Sequence, residues 1–151
     1  MAQRAASTDP VLETGTYNVG AAMGNLLEFT DLIPTKLRGI RQGRVVAVRI
    51  RDDAANGIRL SLHLFDFAIA GIVDGAPYVV TELDARFAIG SVRFEQADWE
   101  GSTVLVAVRA PLALPYDPPA GTSLFGVLEA RQGGMPYAVD DMHVTVTVEG
   151  G

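Results

Sequence analysis

From residue 43 onward, apolar residues recur at every second position, a period that suits half-buried strands and not amphipathic helices. In the run from Gly43 to Asp53, Val46, Val48 and Ile50 share one face, while Val45, Ala47, Arg49 and Arg51 take the other. After a turn-forming stretch, Ile58, Leu60, Leu62 and Leu64 point one way and Arg59, Ser61 and His63 the other. Between the runs lies Asn56-Gly57, a pair that tolerates the positive φ of tight hairpin turns. The spacing therefore predicts a hairpin over 43–66, with the Val/Ile face and the Leu face buried together.

The same period returns later. Strands are expected over Tyr78–Glu82, Ile89–Glu95, Thr103–Ala110, Thr122–Ala130 and Met142–Glu149, and in the last Met142, Val144, Val146 and Val148 alternate with His143, Thr145 and Thr147. Gly/Pro-rich turns at 73–77, 114–121 and 131–136 separate them. Only Glu82–Ala88 suits a helical turn or two. Many short strands with this punctuation predict an all-β fold, a β-sandwich or jelly-roll-like single domain over 26–151. Residues 1–25 read as an extended N-terminal arm that becomes strand-like near Leu26–Phe29, anchored by Leu27, Phe29 and Leu32. Free termini are poorly ordered unless tied down, so the arm is expected to pack against something, a neighbouring subunit in particular.

Composition narrows the chemistry. Cysteine is absent, which removes disulfides, thiolate nucleophiles and cysteine-bound zinc. The net charge of −6 argues against nucleic acid as a partner, because phosphate neutralisation dominates that affinity. No run approaches the roughly 20 apolar residues of a membrane span, and the opening MAQRAASTDPVLETG lacks the apolar core of a secretory signal. Charge is unevenly spread. Residues 36–59 hold seven bases and two acids, a local +5, whereas the remainder holds five bases and 16 acids, −11. Such a stripe is either a solvated strand face or a basic docking surface for an acidic protein.

No phosphate loop, dinucleotide fingerprint, nucleophile elbow or HExxH is present. His63, Asp66 and His143 would make a metal site only if strand pairing brought them together. Asp52-Asp53 and Asp140-Asp141 suggest calcium or a carboxylate pair, but adjacent strand residues point to opposite faces and both pairs flank turns. Tyr78, Trp99, Tyr116 and Tyr137 near loops suggest a sugar-stacking platform. Phe65, Phe67, Phe87, Phe94 and Phe125 are assigned to the core or a subunit contact. No catalytic residue, metal or cofactor is expected.

The order of the motifs is more specific than any one of them. Tyr17-x-x-Gly20, then Gly24-Asn25-Leu26-Leu27-Glu28-Phe29, resembles the opening of a family of small tailed-bacteriophage structural proteins. There a similar opening precedes a Val/Ile-rich strand ending in Asp, matched by Gly43–Asp53. An Asn-Gly turn and a strand ending Leu64-Phe65-Asp66 follow. Ile89-Gly90-Ser91-Val92-Arg93-Phe94, Asp98-Trp99, the run Gly121-Thr122-Ser123-Leu124-Phe125-Gly126-Val127-Leu128 and Pro136-Tyr137 continue the series. The resemblance spans about residues 17–149, departing at Ala21, where Asp is common, and in the longer basic stretch Thr35–Gln42.

The resemblance implies a non-enzymatic virion protein, a head decoration (cement) protein on the outer surface of the capsid. Its implied partners are the major capsid protein and further copies of itself, as a dimer or trimer, with no nucleic acid and no membrane. The expected contact residues are Lys36, Arg38, Arg41 and Arg44 in the basic stripe, with Tyr17, Leu27 and Phe29 at the arm. The alternative is a tail or head-fibre adhesin that binds host-surface glycans; a small hydrolase ranks behind both.

Overall fold

The structure is a computed structural model that describes residues 3–33 and 42–150, and its regular elements are nearly all strands, in two antiparallel sheets. One sheet runs β1 (Gln3–Thr8), β10 (Met142–Gly150), β3 (Gly43–Asp52), β7 (Leu105–Arg109) and β6 (Trp99–Gly101), with β8 (Leu114–Tyr116) pairing with the start of β3. The other runs β2 (Ala22–Phe29), β9 (Leu124–Ala130), β4 (Leu60–Phe65) and β5 (Ala88–Phe94). Alternation explains how they meet. Val48, Ile50, Val144, Val146 and Val148 of the first sheet share one apolar cluster with Phe29, Leu60, Leu62, Leu64 and Phe94 of the second. At roughly 1.5–3 kcal/mol for each large apolar side chain buried, this cluster is the main source of stability.

The expected hairpin over 43–66 does not form. β3 pairs with β10, β7 and β8, and β4 pairs with β5 and β9. The cause is Asp52. Its buried carboxylate accepts hydrogen bonds from the backbone N–H groups of Ala54 (3.0 Å), Asn56 (3.2 Å) and Gly57 (2.9 Å), and from the Tyr137 hydroxyl (3.1 Å). A side chain that captures local amides competes with ladder formation, and here the chain arches from one sheet to the other. Asn56-Gly57 does mark a positive-φ turn, since Gly57 has φ 57°, but the turn joins two sheets instead of two neighbours. Ile58, Leu60, Leu62 and Leu64 are buried as expected. Val46 is not: the register slips between Thr147 and Val148, so Val45 takes the inward position in place of Val46.

Four of the later strands lie where alternation placed them, as β5, β7, β9 and β10. Tyr78–Glu82 is not a strand. It belongs to a covering segment of about residues 66–87 that ends in the short helix α1 (Glu82–Ala85), where the Thr81 hydroxyl caps the Asp84 amide at 3.2 Å. Beneath this segment Phe65, Ile69, Val127 and Ala22 form a second apolar cluster, with Tyr78, Phe87 and Phe125 packed against it. Much of the outer side of the four-stranded sheet is therefore buried as well, with Glu28, Ser91 and Arg93 left exposed on it. β6 and β8, three residues each, are too short to show a period.

The arm is not separate from the domain. β1 pairs with β10 in continuous antiparallel register from Gln3 opposite Glu149 to Thr8 opposite Val144. Leu12, Tyr17 and Ala21 are buried in the main core, and β2 already begins at Ala22.

Candidate docking face

Among the described residues nothing covers the outer side of the six-stranded sheet, and its residues follow from strand parity. Val144, Val146 and Val148 point inward, so His143, Thr145 and Thr147 of β10 point outward. The register sets His143 beside Arg51, Thr145 beside Arg49 and Thr147 beside Ala47. On the flanks Val108 lies opposite Arg49, and Ser7 lies opposite Thr145 with their hydroxyls 2.7 Å apart. The result is a face of small hydroxyl and apolar side chains crossed by a row of arginines.

Two of those arginines have acidic partners: Arg44 lies 3.4 Å from Glu149 and Arg51 2.9 Å from Asp53. Exposed pairs of this kind contribute little to stability, so their guanidinium groups are available for exchange with a partner's carboxylates. Arg49 is exposed and makes no ion pair among the described residues. At one end of the face His143 sits between two carboxylates, Asp9 at 2.9 Å and Asp53 at 3.0 Å. Arg51 is the main reason the Asp53 carboxyl is held below its ordinary range; partial burial opposes this and the His143 hydrogen bond adds to it.

Of the expected contact residues, Arg44 lies at the edge of this face. Lys36, Arg38 and Arg41 lie outside the described residues. Tyr17, Leu27 and Phe29 are 2%, 4% and 0% exposed, so they serve the domain's own core and are out of a partner's reach. The sequence pattern could not separate these roles, because an apolar residue on an arm and one in a sheet look alike until pairing is known. The basic stripe is also divided. Arg44, Arg49 and Arg51 stay on β3, while Arg59 follows the arch to the other sheet, where Arg131 pairs with Glu95 at 2.8 Å.

The metal constellation is not assembled. His63 lies on the four-stranded sheet and His143 on the six-stranded one, and the described residues hold no cluster of metal-ligating type. His63 instead joins a row across three strands, 2.6 Å from the Ser91 hydroxyl and 2.7 Å from Glu129, with the Tyr78 ring stacked on it at 4.3 Å. Burial, with the Glu129 charge, pushes the Tyr78 hydroxyl up to about 12. Sequence reasoning missed this row, since it depends on register.

The sugar platform is not assembled either. Tyr116 and Tyr137 are buried, Trp99 donates its indole N–H to the Ile58 carbonyl at 3.0 Å, and Tyr78 lies within the covering segment, stacked on His63. Both aspartate pairs act in turns: Asp52 organises the arch, and the Asp141 carboxylate accepts the Ala138 amide at 2.6 Å. A cleft of about 600 Å³ opens elsewhere, lined by Gln42, Asp66, Ile89, Tyr116 and Asp117. The Asp66 carboxylate accepts the Asp117 amide at 3.0 Å, and the buried Tyr116 hydroxyl has no hydrogen-bond partner among the described residues.

No protein-family model matches the chain, and no curated protein matches it.

Proposed function

We propose that the protein is a non-enzymatic virion structural protein, a capsid decoration protein that joins copies of itself and lies on the lattice of the major capsid protein at the outer surface of the head. The motif series over residues 17–149 supports the reading from the sequence side. The observation that carries it is the contrast between the sheets' outer sides: one is largely roofed by the chain's own covering segment, the other has no such roof among the described residues, with Arg44, Arg49 and Arg51 aligned along it. A cement protein needs a broad, shallow surface that meets another broad surface, with charge to steer and orient the encounter. It needs no deep ligand cavity. Repeated weak contacts through linked copies then raise avidity without new chemistry.

Binding of the purified protein to undecorated capsids tests the assignment, with copies per particle counted by quantitative mass spectrometry. A lattice-bound cement protein gives hundreds of copies per capsid at saturation, on the order expected for one or more per lattice unit. A count of a few copies, or no binding, contradicts it. An adhesin at a fibre tip would give the few.

A further inference from the structure

The four sheet edges are unequally protected, and we infer that β1, the one edge left open among the described residues, is a self-pairing contact that joins two copies of this chain edge to edge. Unpaired edges invite another strand, and natural proteins blunt them with short strands, prolines, bulges, charges or covering loops. Three regions here use those devices. The β2 edge is covered by residues 74–77: the Ala22 amide donates to the Ala76 carbonyl (2.8 Å), the Gly75 amide donates to the Ala22 carbonyl (2.9 Å), and the Gly24 amide is taken by the Asp74 carboxylate (2.6 Å). At β5 the register slips beside Phe65, and Leu114 of β8 packs against Gly90, where an added Cβ would lie 2.8 Å from its Cδ2. On the far side of the six-stranded sheet β6 and β8 have three residues each, and β8 carries Pro115.

β1 has none of these. Its six residues, Gln-Arg-Ala-Ala-Ser-Thr, contain no proline and no glycine, pair with β10 without a bulge, and end the sheet. Its single charge, Arg4, turns toward the inner side and donates to the Asp31 carbonyl at 3.3 Å. The outward positions Gln3, Ala5 and Ser7 are exposed and small or neutral.

The same features select the occupant. In an antiparallel pair about a two-fold axis, β1 meets its own copy, with outward residues facing outward residues and no like charges opposed. Each chain has one such edge, so pairing two chains leaves none open and growth stops at a dimer. This deepens the capsid reading by naming the contact between copies, and it rests on that reading only for its biological use. The expected dimer-or-trimer thus becomes a dimer.

Light scattering and sedimentation of the full chain across a concentration series, without capsids, read the contact directly. The expected species has twice the 16.0 kDa chain mass. Because the protein has no cysteine, single variants Gln3→Cys, Ala5→Cys and Ser7→Cys make a clean oxidative scan. At least one, the residue nearest the axis, should cross-link into a dimer, while Val139→Cys on an exposed turn should not. Ala5→Lys with Ser7→Lys, which touch no core residue, should weaken dimerisation about tenfold by opposing like charges across the pair. A monomer at every concentration, a trimer, or a dimer that ignores both the lysines and the cysteine scan overturns the inference. A monomer that still saturates capsids rejects the edge contact and leaves the capsid reading intact.

Discussion

The outer sides of the two sheets begin from similar alternating strands and end with opposite fates. On the four-stranded sheet, Phe65 and Val127 point outward, and the chain folds residues 66–87 over them. On the six-stranded sheet the outward positions are mostly threonines, serine, histidine and arginine, with the smaller apolar Ala47 and Val108 among them, and nothing in the described chain is folded over them. The difference teaches that strand parity sets which residues leave the core, and side-chain chemistry then sets whether they need a roof. An outward Phe requires one. An outward Thr or Arg remains in water and is open to a partner.

The largest test of that contrast is truncation on each side. Phe65→Ala should cost about 3–5 kcal/mol, as an outward residue that is buried nonetheless, while Thr145→Ala on the bare face should stay within about 0.5 kcal/mol. Denaturant midpoints read both. Leu62→Ala, in the shared core, should cost roughly 2–5 kcal/mol. Equal costs for Phe65→Ala and Thr145→Ala would erase the distinction.

A smaller effect is expected where the covering segment is pinned. The Asp74 carboxylate accepts the Thr14 amide (2.8 Å) and hydroxyl (2.7 Å), the Tyr17 hydroxyl (2.7 Å) and the Gly24 amide (2.6 Å). Burial works against its ionisation, but these donors outweigh it and hold the carboxyl below its ordinary 3.8. The carboxylate therefore favours the folded state. Its contribution is complete above that ordinary value and is lost as the pH falls through the lowered folded value. Asp74→Ala should cost about 1–3 kcal/mol at neutral pH by stranding part-buried donors. Urea titrations below about pH 4 should show wild type losing stability more steeply than the variant.

The bare face yields the smallest stability effects and the clearest binding ones. Arg44→Ala with Arg49→Ala should leave the unfolding midpoint within about 0.5 kcal/mol of wild type. Capsid binding should weaken and become less dependent on salt, because the screening length falls from about 10 Å at 0.1 M to about 3 Å at 1 M. Deletions do not separate edge pairing from folding: loss of residues 1–8 bares β10 as a new edge and takes Ala6 off the core, and loss of 1–25 also takes Leu12, Tyr17, Ala22 and Met23 out of the cores.

Period-two alternation was enough to place β5, β7, β9 and β10, because each carries apolar side chains on a face that is buried. It did not reveal partners. Asn56-Gly57 signals a turn, yet whether that turn joins neighbours or arches between sheets is decided by the buried Asp52 carboxylate and its bond to Tyr137, 85 positions away. The bulge beside Val46 and the His63–Ser91–Glu129 row likewise depend on register between strands distant in sequence. β1 was legible only as an arm, since Ala, Ser and Thr carry no strong burial signal. Arg44 was picked out by charge, and its place beside Glu149 on β3, like the alignment of Arg49 with Thr145, needed the fold.

The proposed capsid role puts the bare arginine face, and not the roofed side, against the lattice. The roof is a genuine rival, as Val79 and Leu83 stand 68% and 62% exposed on it. Saturation of undecorated capsids by Arg49→Glu, by Val79→Glu and by wild type, at low salt, separates the two directly. The account predicts that Arg49→Glu lowers affinity at least about tenfold by setting a like charge against an acidic lattice patch, while Val79→Glu binds as wild type does. Loss of binding in Val79→Glu with Arg49→Glu unaffected would contradict it.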